Sequence, residues 1–436
     1  MSKPFKIITL GCKVNQYESA FIEESLINMG CQKANQNREA KLVVINGCIV
    51  TAKASYQSRQ AIRRAIRENP KAIISVIGCY GQVFPGELSK INGVDLITGN
   101  KGKSFLPELL FNASHHNPPL ILKEDFGAST HFESIPIKRF SDRTRAFLKI
   151  QDGCESFCSY CIVPMARGPL RSLEPDKVLR ILKGLEKSGY KEVVLTGIHL
   201  GKYGSDFRNN INLTKLLIEI GKNRFSLRIR LSSLEPTEIE IGLIELMASH
   251  KWLCNHFHIS LQSGDDAVLK RMNRHYTSRM FTRVVSDINR LVPDVSIGVD
   301  VLVGFPGETD RAFNNTFDLI KNMPISYLHV FPYSRREGTA AADLSGQLDH
   351  KRIKDRALLL RVLDKEKRKI FWGSLNGETF SVLTEGWVPG HGNLIRGLSD
   401  NYVRFTFPSK SLIKNKIVKV SAVGVTEKGI TAHQLD

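Results

Sequence analysis

In the first quarter of the chain, apolar residues fall into short unbroken runs, each closed by a glycine and a cysteine. Residues 6–10, 41–45 and 72–77 are three such runs, followed by Gly11-Cys12, Asn46-Gly47-Cys48 and Gly78-Cys79. Runs without polar alternation read as strands covered on both faces, as in parallel sheets. Residues 18–30 and 52–69 carry helical patterns between them. Strand and helix in alternation predict a doubly wound parallel α/β sheet. Parallel strands end on one edge, so Cys12, Cys48 and Cys79 are expected to converge where open α/β sheets hold ligands. The glycine before each cysteine lets other backbone come close.

The alternation resumes after a break. Strands are expected at 146–150, 192–195, 227–231, 256–259, 297–302 and 327–331, with helices at 175–189, 213–223 and 265–272 among them. Six such units predict a partial (β/α)6 barrel, with its chemistry at the carboxyl ends of the strands. Residues 351–370 read as a basic amphipathic helix whose apolar side is Leu358, Leu359, Val362 and Leu363. Beyond Gly373 the pattern changes to short strands at 378–385, 401–407, 416–423 and 429–434, a small β-barrel. Residues 112–143 are rich in His, Asn, Pro and Ser without periodicity, which predicts a linker. The expected layout is 1–111, linker 112–143, 144–372 and 373–436.

Charge narrows the choice of partners. The 436 residues carry a formal charge of +19, which favours phosphate polyanions. Arg59, Arg63 and Arg67 share one helix face, read as a phosphate contact, with a solvated face as the alternative. His115, His116 and His131 are read as solvated loop residues. Eight cysteines in this length do not make a disulfide scaffold, and Cys31 and Cys254 read as small apolar residues. The first residues lack a signal-peptide pattern, and no apolar run approaches the ~20 residues of a membrane helix. A cytoplasmic protein without membrane contact is expected.

The densest chemistry is Cys154-x3-Cys158-x2-Cys161. Three thiolates this close repel unless a cation-bearing group lies among them, and an odd count cannot close internally as disulfides. A four-iron cluster with one open corner fits. The alternatives are a zinc knuckle or a chance cluster, although no fourth Cys or His follows in Ile162-Val-Pro-Met-Ala-Arg-Gly168. Three Gly-Cys turns of the same kind suggest a second such site on Cys12, Cys48 and Cys79.

The loop, with Tyr160 before its last cysteine, resembles the radical S-adenosylmethionine (SAM) signature. Thr9-Leu-Gly-Cys-Lys-Val-Asn-Gln-Tyr-Glu-Ser19, the 299–308 stretch and the 329–334 stretch resemble the methylthiotransferase family of that superfamily. The wording after Cys12 is closest to the branch acting on N6-threonylcarbamoyladenosine in tRNA. The family usually has Thr where Gly47 stands, while the cysteine is kept. The resemblance implies two [4Fe-4S] clusters, SAM, a tRNA substrate, a reducing electron donor and a sulfur donor. It implies a 2-methylthio product and a C-terminal RNA-binding TRAM domain, in which Tyr402, Phe405 and Phe407 interleave with Arg404 and Lys410. Tyr160, Gly197, Ser233, Glu235, Gln262 and Asp300, at the loop and the strand ends, are the candidates for holding SAM. Other readings are the branch modifying a ribosomal-protein aspartate, the branch acting on isopentenyladenosine in tRNA, a two-cluster electron carrier, and a zinc-bearing RNA-binding module.

Overall fold

A computed structural model describes residues 3–34, 39–127, 130–140 and 143–435. Its N-terminal part is a six-stranded parallel sheet. In spatial order the strands are Gln32–Lys33, Pro4–Thr9, Leu42–Gly47, Ile73–Gly78, Leu96–Thr98 and Leu120–Leu122. The order reverses beside Pro4–Thr9, which makes the sheet doubly wound. The central strands are buried at every residue, as unbroken apolar runs require. Helix Lys13–Asn28 has Cys12 as its N-cap residue and starts five residues earlier than its apolar pattern suggested. Ala52–Glu68 is capped by the Thr51 side chain, which accepts from the Ala54 amide.

The stretch read as a linker is more than a connection. Its Leu120–Leu122 forms the outer strand of the sheet, and Ile135, Ile137 and Phe140 enter the core of the next unit. Tyr17 donates to the Ile135 carbonyl at 2.7 Å. Residues 128, 129, 141 and 142 of that stretch, like 1 and 2, lie outside the described residues. His115 is not simply solvated, since its Nδ1 lies 3.0 Å from Asp95 Oδ1.

The central unit has the six expected parallel strands, in two sheets of three. Glu192–Thr196 lies between Arg145–Lys149 and Arg228–Leu231, and Ser296–Val303 between His256–Gln262 and Tyr327–Pro332. Isolated bridges Ile229–Leu253 and Leu234–Ile259 join the halves, so the partial barrel is not one continuous ladder. Its core runs from Ala146 through Leu195, Leu231 and Ile259 to Leu328.

Helix His350–Ser374 packs along the last strand, but not on the expected side. Leu358, Leu359 and Val362 are exposed, whereas Ile353, Ala357, Leu360 and Leu363 are buried. The helical period selects these, with Arg356 and Lys367 on the same face because carbonyls and carboxylates meet them. Lys367 donates to the Lys321 and Met323 carbonyls at 2.8 and 2.6 Å.

The C-terminal strands close into a five-stranded barrel ordered Thr379–Val388, His391–Ser399, Arg404–Pro408, Gly429–Gln434 and Ile417–Thr426. His391–Ser399 was hidden by its glycines. Phe405 and Phe407 are fully buried and form the barrel core, so they do not stack on RNA. Tyr402 packs on His256 with ring centroids 4.4 Å apart. The barrel docks on the amino ends of the central strands. Arg228 and Arg230 grip Glu192 and donate onward to the carbonyls of Ser381, Leu398, Ser399 and Asp400.

Candidate functional site

The two cysteine trios sit on elements that pack together at one seam, where helix Cys79–Val83 meets helix Val163–Arg167. Cys154, Cys158 and Cys161 sit in the loop after Gln151–Asp152, at the carboxyl end of the first barrel strand. Gly153 takes a φ of +79°, and a Cβ there would strike the Pro169 carbonyl, so this turn needs glycine. The loop walls a cavity of about 550 Å³ with Phe126, Met165 and Gly338. Gln82, three residues after Cys79, is also on that wall.

The scattered cysteines converge as the topology requires. A Cβ on Gly11 would lie 2.7 Å from Cys48 Sγ. Burial raises the thiols of Cys12 and Cys48, Cys48 to about 12, and in each the neighbouring Cys79 adds to the rise. Burial likewise pushes Cys161 to about 12, with Cys158 adding to it. Neither set holds three thiolates without a positive partner, and three soft sulfur donors facing one space suit an iron–sulfur cluster. Cys154 differs. Burial is the largest influence and opposes its ionisation, but the hydrogen bond with His199 Nδ1 at 3.4 Å, the charge of that imidazole and hydrogen bonds from Ser156 together lower the thiol. Glu238 lies 2.5 Å from the other side of that imidazole.

What joins the trios is a fully buried arginine. Arg167 ends the short helix Val163–Arg167 that follows Cys161. It donates to Glu18 at 2.6 Å and to Asn15 Oδ1 at 2.7 Å, both on the helix that follows Cys12. Asn100 donates to Cys79 Sγ at 3.4 Å and to the Ala166 carbonyl at 2.8 Å. Arg336, from beyond the last barrel strand, donates to the Ile49 carbonyl at 2.5 Å and to Ser55 at 2.8 Å, fixing the turn that carries Cys48. Each N-terminal cysteine turn is thus tied to the barrel by a separate polar contact.

The SAM candidates are brought together only in part. Tyr160 accepts from Arg274 at 2.6 Å, and Glu235 accepts from the same guanidinium. Both belong to the surroundings of Cys158, whose burial-raised thiol Arg274 draws back down. Gly197 abuts Gln151 just ahead of the loop. Gln262 is buried at a φ of +60°, and Ser233 is exposed. Asp300 is engaged elsewhere: His258 Nε2 is 2.7 Å from it and His329 Nδ1 3.4 Å. These imidazoles hold its carboxyl well below the usual range against the effect of burial. Arg167, Arg274, His199 and Arg336 were not singled out from sequence. Arg167 stood within a stretch already noted, but its partners lie far away along the chain.

Comparisons with known proteins settle the family. Residues 148–320 match the model described as the radical SAM superfamily, and residues 4–99 the one described as uncharacterized protein family UPF0004. A Bacillus subtilis protein named threonylcarbamoyladenosine tRNA methylthiotransferase MtaB is 39% identical over 98% of this chain and 97% of its own length. The chain belongs to the radical SAM methylthiotransferase family. An Aquifex aeolicus protein of the same name is 39% identical, covering 86% of this chain and 91% of its own. A Natranaerobius thermophilus tRNA-2-methylthio-N(6)-dimethylallyladenosine synthase is 32% identical over 96% and 94% of the two chains. Among solved structures, the radical SAM methyltransferase TsrM from Kitasatospora setae shares the fold, with a TM-score of 0.57 at 15% identity, covering 78% and 75%. A methylthiotransferase of this family uses SAM and a [4Fe-4S] cluster. Among the described residues no helix is long and apolar enough to cross a membrane.

Proposed function

We propose that this enzyme converts N6-threonylcarbamoyladenosine beside the anticodon of tRNA into its 2-methylthio derivative. The observation carrying the proposal is 39% identity across 98% of the chain to the Bacillus subtilis threonylcarbamoyladenosine enzyme. The packing of both cysteine-bearing segments at one seam supports the same reading. The relatives acting on dimethylallyladenosine stand lower, at 32%.

In this reading Cys154, Cys158 and Cys161 hold the cluster that meets SAM, and Cys12, Cys48 and Cys79 hold a second. A cluster held by Cys154, Cys158 and Cys161 would supply the low-potential electron and, with SAM, the radical chemistry that an unactivated adenine C2–H bond demands. The remaining work belongs to the protein. Phe126 and Met165 give the cavity an apolar wall, and Arg274 offsets negative charge beside Cys158. Tyr160, Gly197, Ser233, Glu235 and Gln262 would offer hydroxyl, amide and carboxylate groups to the SAM amine, carboxylate and ribose. Asp300, paired with two histidines, would orient them rather than meet SAM unaided.

The layout 1–111, 112–143, 144–372 and 373–436 then reads as cluster domain, connecting segment, radical SAM domain and a TRAM-like RNA-binding barrel. The exposed arginines Arg63 and Arg67 and the basic face of His350–Ser374 would meet RNA phosphates. A low-potential electron donor and a sulfur donor complete the reaction, in the cytoplasm. Mass spectrometry of tRNA nucleosides from cells lacking this protein tests the proposal. The methylthio group should vanish from threonylcarbamoyladenosine and remain on other adenosines. An unchanged nucleoside profile contradicts it.

A further inference from the structure

The seam between sheet and barrel carries more positive charge than its carboxylates balance. Lys103, Lys149, Arg167 and Arg171 gather there around Glu18 and Asp152, and all six side chains are less than a tenth exposed. Glu18 is already held by Arg167 at 2.6 Å and Lys149 at 3.3 Å. Lys103 reaches only 3.4 Å from its second oxygen, with 2% of the side chain exposed, and among the described residues its Nζ makes no hydrogen bond. Arg167 Nε also finds no hydrogen-bond partner among the described residues. A buried cation in excess costs free energy unless an anion completes the site.

The N-terminal cysteine trio lies beside these cations. Burial lowers the pKa of Lys103 and Arg167 adds to that, while Glu18 and Cys79 favour its charged form. Arg167 has favourable electrostatic interactions with Cys79, Cys12 and Cys48. Asn100 adds a neutral donor to Cys79 Sγ at 3.4 Å. Three cysteinates around a four-iron cluster leave net negative charge, which an anionic sulfur ligand increases. We propose that Lys103 is the counter-cation of the cluster on Cys12, Cys48 and Cys79, a positioning residue that helps retain it and raises its reduction potential. A nearby cation favours the reduced, more negative state of such a centre. The inference rests on the reading of that trio as cluster ligands.

The test uses the full chain, purified anaerobically, with Lys103→Met and Lys103→Gln. Three quantities are measured: iron per chain before and after a chelator, thermal melting with and without iron, and the midpoint potential of each cluster by electron paramagnetic resonance. The iron-free variants should melt at or above the wild type, because Glu18 keeps Arg167 and Lys149. Iron should be held on the order of tenfold less tightly at the cluster insensitive to SAM, as expected for one lost charge contact. That cluster's potential should move to more negative values, while the SAM-sensitive one stays in place. Unchanged potentials at full iron content overturn the proposal. So does equal destabilisation of the iron-free and loaded forms, which would make Lys103 a packing residue. Wild-type protein that binds only about four irons instead of about eight removes the second cluster itself, a failure distinguishable from the other two by iron count.

Discussion

Arg167 and Glu18 form a buried ion pair at 2.6 Å that spans 149 positions of sequence and bolts the cysteine loop of the barrel to the helix that follows Cys12. Neither side chain is more than 1% exposed. Breaking a buried pair costs about 3–5 kcal/mol when it leaves the partner charge uncompensated. Glu18 keeps Lys149 at 3.3 Å and Lys103 at 3.4 Å, so Arg167→Met should lower unfolding stability by less, about 2 kcal/mol in denaturant titration. The double variant Arg167→Met/Glu18→Gln should recover part of that loss. A single variant as stable as wild type would show that the bolt is not needed.

The two trios divide the chemistry. Cys158→Ala should abolish 5′-deoxyadenosine formation from SAM. Cys48→Ala should leave SAM cleavage measurable and stop methylthiolation. Chromatography of reaction products separates the cases, and a normal thiolated yield from Cys48→Ala would remove the second trio from the reaction.

Acid should loosen the C-terminal barrel first. Arg230 and Arg228 overcome the effect of burial and hold the Glu192 carboxyl at about 2, below its ordinary 4.5. A depressed carboxylate contributes stability above pH 4.5 that is lost as pH falls toward 2. The two pKa values imply about 3 kcal/mol. Glu192→Gln should flatten the pH dependence of melting in that window. An identical acid profile in the variant would contradict the assignment.

The turn ahead of the cysteine loop tolerates no side chain. Gly153→Ala must place a Cβ against the Pro169 carbonyl at a φ of +79°. Iron bound at the loop should fall several-fold while far-ultraviolet dichroism stays close to wild type. Full iron loading would show that the turn can rearrange.

Sequence made the parallel central strands and the cysteine convergence readable because both follow from local pattern and one topological rule. Residues 72–77, for example, end in Gly78-Cys79 just as the sheet edge requires. What it did not show were contacts made across the fold. Arg167 looked like one more basic residue until Glu18 and Asn15 closed around it. Leu120–Leu122 is an apolar run of only three residues behind two prolines, too short to mark a strand, and it is exposed. Phe405 and Phe407 alternate with Arg404 and Thr406 as a half-buried strand does, and only barrel closure decides that both rings turn inward.

The claim on which everything rests is the choice of substrate carbon and nucleoside. Reconstituted enzyme with SAM, a reductant and sulfide should be given two anticodon stem-loops, one bearing threonylcarbamoyladenosine and one isopentenyladenosine. Nucleoside mass spectrometry should find the methylthio group on the first. Its appearance on the isopentenyl nucleoside alone would contradict the account.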